Sequence, residues 1–238
     1  GKYHYLINTE KCADASRISS DGEIDCRAAD GSKSSSITPF AQWRVNFLRE
    51  NLKMEWGSPE HQAYLYDFHY PCKKDGRLAA QVAFNIMLAH AKAVTAYREL
   101  ALAGEIGVVL NLTPSYTLTD SDADKKAAGY ADLFFNRSFL DPVLKGEYPA
   151  DLVELLKEYD QLPTCQPGDN QLIAEGKIDL LGINYYQPRR VKCRDTAVNP
   201  NAPFMPEWLF DYYEMPGRKM NPYRGWEIYE PGIYDIIT

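Results

Sequence analysis

Three short runs hold side chains able to do chemistry. Residues 182–186, GINYY, set an amide and two phenols side by side. At the mouth of a parallel sheet such groups hydrogen-bond sugar hydroxyls or orient a catalytic carboxylate. The same five residues suit equally a strand end whose tyrosines are buried and satisfied by the backbone. Asn111 closes a second run, IGVVLNL (106–112), and is followed by Thr-Pro-Ser-Tyr. The third run is AYLYDFHYP (63–71), preceded by Glu55, Glu60 and His61. Two carboxylates are the minimum for hydrolysis of a glycosidic bond. Glutamate is too common, however, for nearness in sequence to mean much, and a lone Glu in such a stretch reads first as surface charge.

Other chemistries find no support. No Gly-x-Gly-x-x-Gly or Walker-type loop occurs, so nothing favours a nucleotide. The five cysteines, Cys12, Cys26, Cys72, Cys165 and Cys193, are widely spaced, odd in number and form no Cys-x-x-Cys pair. The four histidines show no ligand spacing. No metal and no cofactor are therefore expected, and the thiols read as reduced, which suits the cytoplasm. A formal net charge of −7 argues against a nucleic-acid or anionic-membrane surface. No apolar run approaches the ~18 residues of a membrane span, and no secretory pattern opens the chain. With 238 residues, 45% hydrophobic and 25% charged, the chain has an ordinary globular composition, long enough for one large domain or two small ones.

The elements that must carry these residues follow from periodicity. Residues 77–102 repeat apolar side chains at three and four, without Pro or Gly, and predict a helix closed by Gly104. Residues 106–112 and 178–186 are continuous apolar runs and predict buried strands. Between them, 121–136 begins with Ser and Asp caps and continues with helical spacing, and 150–159 and 171–176 predict shorter helices. Helices alternating with apolar strands predict an α/β fold with a parallel sheet, whose C-terminal strand ends face the ligand. Residues 196–229 hold Pro, Asn, Trp and Tyr with little period and read as a packed functional loop. Residues 11–36, rich in Ser, Asp and Gly, read as a long loop or linker; residues 3–8 suit a short strand.

From about Tyr64 onward the chain resembles glycoside hydrolase family 1, most closely its bacterial 6-phospho-β-glucosidases. The matching runs, in the family's order, are YLYDFHYP, AFNIMLAHAKAV, IGVVLNLTPSY, ADLFFNRSFLDPVLKGEYPADLVELLK, DLLGINYYQPRRVK and YYEMPGRKMNPYRGWEIYEPGIYDII. The resemblance implies part of a (β/α)8 TIM barrel, with 61–238 as its central portion and 1–60 as a poorly matched N-terminal segment. It implies cleavage of β-glycosidic bonds with retention, by two glutamates, on a sugar or sugar phosphate.

Carried over residue by residue, Asn184, Tyr186 and Asn111 line the glycone subsite. The acid/base glutamate belongs to a Thr-Phe-Asn-Glu-Pro motif that is not intact here. Glu55, in KMEWG, takes its place, with Met54 where the family has Asn and Trp56 where it has Pro. Glu10 is the other candidate and needs a large insertion after it. The nucleophile's Glu-Asn-Gly motif occurs nowhere in the sequence, so the family's second carboxylate has no counterpart; Glu10 and Glu227 are the next carboxylates to consider. The early-strand Gln and His-Trp pair, and the phosphate-recognising Ser, Lys and Tyr, have none either. Two expectations compete: a retaining β-glycosidase of 6-phospho-β-glucosides, or a catalytically incomplete barrel that binds sugar weakly or serves a non-enzymatic role. An open barrel edge favours homo-oligomers.

Overall fold

The computed structural model describes residues 64–66, 72–101 and 103–238. All belong to one compact unit, 56–238. The expected strand at 3–8, the loop at 11–36, and Glu10, Glu55, Glu60 and His61 lie outside the described residues.

The first helix, α1, spans Gly76–Glu99. Asp75 caps it, accepting from the Leu78 amide at 2.9 Å, as an extended Asp does at a helix start. One face buries Ala79, Phe84, Met87, Ala91 and Val94. The helix stops five residues short of the expected Gly104 cap: Ala101 takes a left-handed backbone (φ 48°) and turns the chain first. Strand β1, Gly107–Asn111, then pairs in parallel with β3, Leu180–Asn184, as the apolar runs implied. A parallel pair cannot be closed by a tight turn, so residues 112–179 form the crossover.

That crossover carries most of the helices. Helix α2, Asp122–Asp132, is capped by Ser121. It passes into a π-helical turn, Leu133–Arg137, and then into α3, Ser138–Lys145. The sequence reading assigns no element to 138–145, where α3 accommodates Pro142 within its second turn. Gly146, with φ 79°, ends α3 in the left-handed conformation that glycine takes freely. Helices α4, Ala150–Glu158, and α5, Asp169–Glu175, follow.

A second sheet is absent from the sequence reading. Strand β2, Ser115–Thr117, runs parallel to β4, Arg189–Lys192, which pairs antiparallel with β5, Asp211–Tyr212. These strands have two to four residues, too few for a period to show. Helix α6, Pro231–Ile237, follows the long loop.

The core lies on one side of β1 and β3. Val108 and Leu110 of β1 and Ile178 pack against Met87 of α1 and Phe139 and Val143 of α3. A second cluster joins Ala127, Ala131, Val191 and Phe210, and a third joins Leu133, Phe134, Leu152 and Phe204. Phe204 stacks on Tyr159, with ring centroids 4.5 Å apart. The stretch from 196 is thus packed, as its aromatics implied. The opposite face of the parallel pair differs from expectation: Val109 and Leu180 are 62% and 60% exposed. The strands are partly buried on one face and open on the other.

Two glycines, Gly129 inside α2 and Gly176 at the C-cap of α5, separate packing from propensity. A β-carbon on Gly176 would lie 2.6 Å from the β-carbon of Ala91, where α1 and α5 meet and His90 Nε2 lies 3.0 Å from the Gly176 carbonyl. A β-carbon on Gly129 would meet nothing within 4 Å. In urea unfolding, Gly176→Ala is expected to destabilise by about 1–3 kcal/mol through overpacking. Gly129→Ala is expected to stabilise by about 0.5–1 kcal/mol through helix propensity.

Candidate functional site

Register brings two of the expected site residues together. Asn111 and Asn184 are the last residues of β1 and β3 and are direct partners across the pair. Asn184 Nδ2 donates to Asn111 Oδ1 at 3.0 Å, and both residues are exposed. The bond uses one donor and one acceptor of the two amides. Asn111 Nδ2 and Asn184 Oδ1 are left, so the pair can both donate to and accept from a ligand hydroxyl. Beneath them, Val109 leans over Gly182, which has no side chain to oppose it.

The two tyrosines that follow take different parts. Tyr185 is tied to the backbone, donating to the Tyr229 carbonyl at 2.6 Å. Burial first, and then the nearby Glu227 charge, push its phenol up to about 12. Tyr186 is 51% exposed, and its ring lies 5.3 Å from that of Trp226. The motif therefore pairs one phenol satisfied by the backbone, Tyr185, with one exposed phenol, Tyr186. Trp226 was not singled out by sequence; its only signal was membership of the aromatic stretch 196–229. Its indole Nε1 is buried without a hydrogen-bond partner.

The loop leaving β1 is held by a side chain that sequence reasoning missed. Asn136, in the π turn and buried, accepts from the Thr113 amide at 3.1 Å and donates to the Thr113 carbonyl at 2.9 Å. It also donates to Asp132 at 2.7 Å. The amide thus stands in for a strand partner two residues beyond Asn111, and a π turn supplies the local re-aiming this needs.

Just beyond β1, Asp132, Asp141 and Asp235 line a cavity with Leu112, Ser115 and Tyr116; Asp132 accepts from Asn136 and Asp235 from the Tyr116 hydroxyl. Glu227 is 5% exposed and paired to Arg190, so it is closed to substrate. Glu55 and Glu10 lie outside the described residues. Among the described residues, no group of three or more His, Cys, Asp or Glu is arranged to hold a metal ion, and no helix is long and apolar enough to cross a membrane.

Residues 50–238 match the family model described as glycosyl hydrolase family 1. The chain is 56% identical over 179 residues to the 6-phospho-β-glucosidase GmuD of Bacillus subtilis, covering 75% of this chain and 38% of that protein. It is 35% identical to a β-glucosidase of Agrobacterium sp. over 74% of this chain and 36% of the other. Among solved structures it is similar to the virulence factor SghA of Agrobacterium tumefaciens, with a TM-score of 0.65, 29% identity and coverage of 82% and 43% of the two chains. A family 1 β-glucosidase from Thermotoga maritima gives 0.62 and 27%, over 86% and 49%. The fold is accordingly part of a TIM barrel. The chain spans under two-fifths of the B. subtilis protein.

Replacing Asn136 with Ala leaves the Thr113 amide and carbonyl without their partner and is expected to cost about 1–3 kcal/mol in urea unfolding. Tyr185 gives a pH signature. Its folded-state phenol keeps its proton above the ordinary value of 10.0, up to about 12. The unfolded chain loses that proton first, so stability falls as pH rises through this window. Tyr185→Phe is expected to remove that part of the fall and the corresponding phenolate absorbance in an alkaline titration.

Proposed function

The chain belongs to glycosyl hydrolase family 1, and from that premise we propose that it is the central part of a retaining β-glycosidase acting on 6-phospho-β-glucosides. Support for the substrate class comes from the 56% identity to GmuD, whose name states that specificity. The observation that carries the reading is the hydrogen-bonded Asn111–Asn184 pair at the C-terminal ends of two parallel strands, where barrels of this kind bind ligand. In this reading Asn111, Asn184 and Tyr186 line the glycone site. Tyr186 and Trp226 together present an aromatic surface at its mouth.

Glu55 is assigned the general acid and then base role. A retaining mechanism needs a second carboxyl about 5–5.5 Å away as nucleophile, and no Glu-Asn-Gly motif supplies it in this sequence. Binding groups do not compensate. Holding substrate and transition state equally lowers no chemical barrier, and loss of a nucleophile costs on the order of 10⁶-fold in other hydrolases. In this reading the 238 residues contribute sugar recognition, and no Glu-Asn-Gly motif among them supplies the nucleophile. On the same reading 61–238 are the central part of the barrel and 1–60 the poorly matched N-terminal segment. The acidic balance and absence of a disulfide pattern favour a cytoplasmic protein that meets neither nucleic acid nor membrane. The exposed face bearing Val109 and Leu180 favours association that covers it, including with a second copy.

The purified chain is expected to hydrolyse aryl 6-phospho-β-glucosides at or near background while still binding the sugar. Asn184→Ala should weaken that binding, measured by calorimetry. Turnover at enzyme-like rates that Glu55→Gln abolishes would overturn the incomplete-site reading. Absence of any sugar binding that Asn184→Ala alters would overturn the assignment of the glycone site.

A further inference from the structure

The stretch 219–228 doubles back on itself. Met220 and Glu227 form an antiparallel bridge, Ile228 N–H donates to the Lys219 carbonyl at 2.8 Å, and Asn221 N–H donates to the Trp226 carbonyl at 2.8 Å. The turn between is closed by the Asn221 side chain, which accepts from the amides of Tyr223 and Arg224. Neighbouring side chains on an extended strand point to opposite sides. Here Trp226 meets Tyr186 on one side, and Glu227 reaches Arg190 of β4 on the other.

The Arg190–Glu227 contact is two-pronged. Nη2 donates to Oε1 at 2.6 Å and Nε donates to Oε2 at 3.3 Å. Both partners are buried, at 9% and 5% exposure. The guanidinium also lies 4.8 Å from each of the Tyr116 and Tyr229 rings, which meet edge-on at 5.2 Å. A buried pair of this kind adds little net stability over an apolar equivalent, because desolvation offsets the attraction. What it supplies is register. Glu227 is the one carboxylate between Lys219 and Tyr229, and a one-residue slip would turn it away from Arg190 and bring Trp226 or Ile228 in its place.

We propose that Arg190 and Glu227 are positioning residues that set Trp226 against Tyr186, and so shape the mouth of the sugar site from beneath. The link to sugar rests on the glycosidase reading above. The positioning itself is measurable with no sugar present. Glu227 touches no substrate in this scheme; it acts through the strand it shares with Trp226.

The test reads Trp226 alone, as the difference between the chain and its Trp226→Phe variant, by near-UV circular dichroism and acrylamide quenching. Glu227→Asp keeps the charge but is one methylene too short for the two-pronged contact. Arg190→Met with Glu227→Met removes both charges and retains bulk, which avoids the stranded charge that would accompany a single neutral replacement. Both are expected to keep the far-UV spectrum. Both should lose the Trp226 near-UV band, and the quenching constant should rise about twofold as the ring leaves its partner. A purely structural pair would lower the melting temperature and leave the Trp226 signals unchanged below it, and that result overturns the proposal. Should the double variant fail to fold, Glu227→Asp decides alone by the same criterion. Loss of sugar binding with the wild-type Trp226 signal intact counts against the glycosidase reading and not against this one.

Discussion

The parallel pairing of β1 with β3 is the constraint on which the rest depends. Five residues on each side meet in register, from Gly107 opposite Leu180 to Asn111 opposite Asn184. A parallel pair forces a long crossover, and the crossover is where α2 to α5 and the π turn are built. Val108 and Leu110 pack against Phe139 and Val143 of α3 and against Met87 of α1. Packing on that face locks the strand faces, since a one-residue slip would exchange Val108 and Leu110 for Gly107, Val109 and Asn111. The same lock puts the two asparagine amides within hydrogen-bond reach. Core and candidate site are thus two consequences of one register.

The register also changes once, beyond the asparagines. Partners in the first pair are 73 residues apart, as Asn111 and Asn184 are, while Ser115 and Arg189 in the second are 74 apart. The connection Tyr185–Pro188 therefore holds one residue more than Leu112–Pro114. An extra residue on one strand bends it and re-aims its side chains. That is where Tyr185 turns in to the Tyr229 carbonyl and Tyr186 turns out to Trp226. The asymmetry gives one side of the site two rings, and the other only the Thr113 loop held by Asn136.

Much of this was legible in the sequence, and the limits are physical. Long periodic segments such as α1, and apolar runs such as β1 and β3, carry their own signal, so their type and parallel pairing could be foreseen. Asn111 and Asn184 could be placed at strand ends, but their mutual hydrogen bond depends on register, which no local pattern encodes. Helix α3, eight residues with Pro142 inside it, was not foreseen, and β2, β4 and β5 were hidden by their shortness. Asn136 and the Arg190–Glu227 pair were invisible for a further reason: each joins residues 23 and 37 positions apart. Trp226 belonged to a stretch recognised only by composition. Tertiary partners gave these residues their meaning.

The exposed face of the parallel pair carries the last step. Gly107, Val109 and Asn111 of β1 face the same way as Leu180 and Asn184 of β3, and that side is open where the helix side is packed. Parallel strands of this apolar composition normally have both faces covered. Val109 and Leu180 share a face with the two amides, so whatever covers them also lies under the amide pair. In water, an amide pair above an uncovered apolar floor keeps its hydration shell, and each hydrogen bond to a sugar hydroxyl replaces one to water with small net gain. Covering the floor removes that competition and strengthens the same bonds through the lower local dielectric. On the proposed glycosidase reading, sugar binding at the amide pair is therefore expected to strengthen when this apolar face is covered.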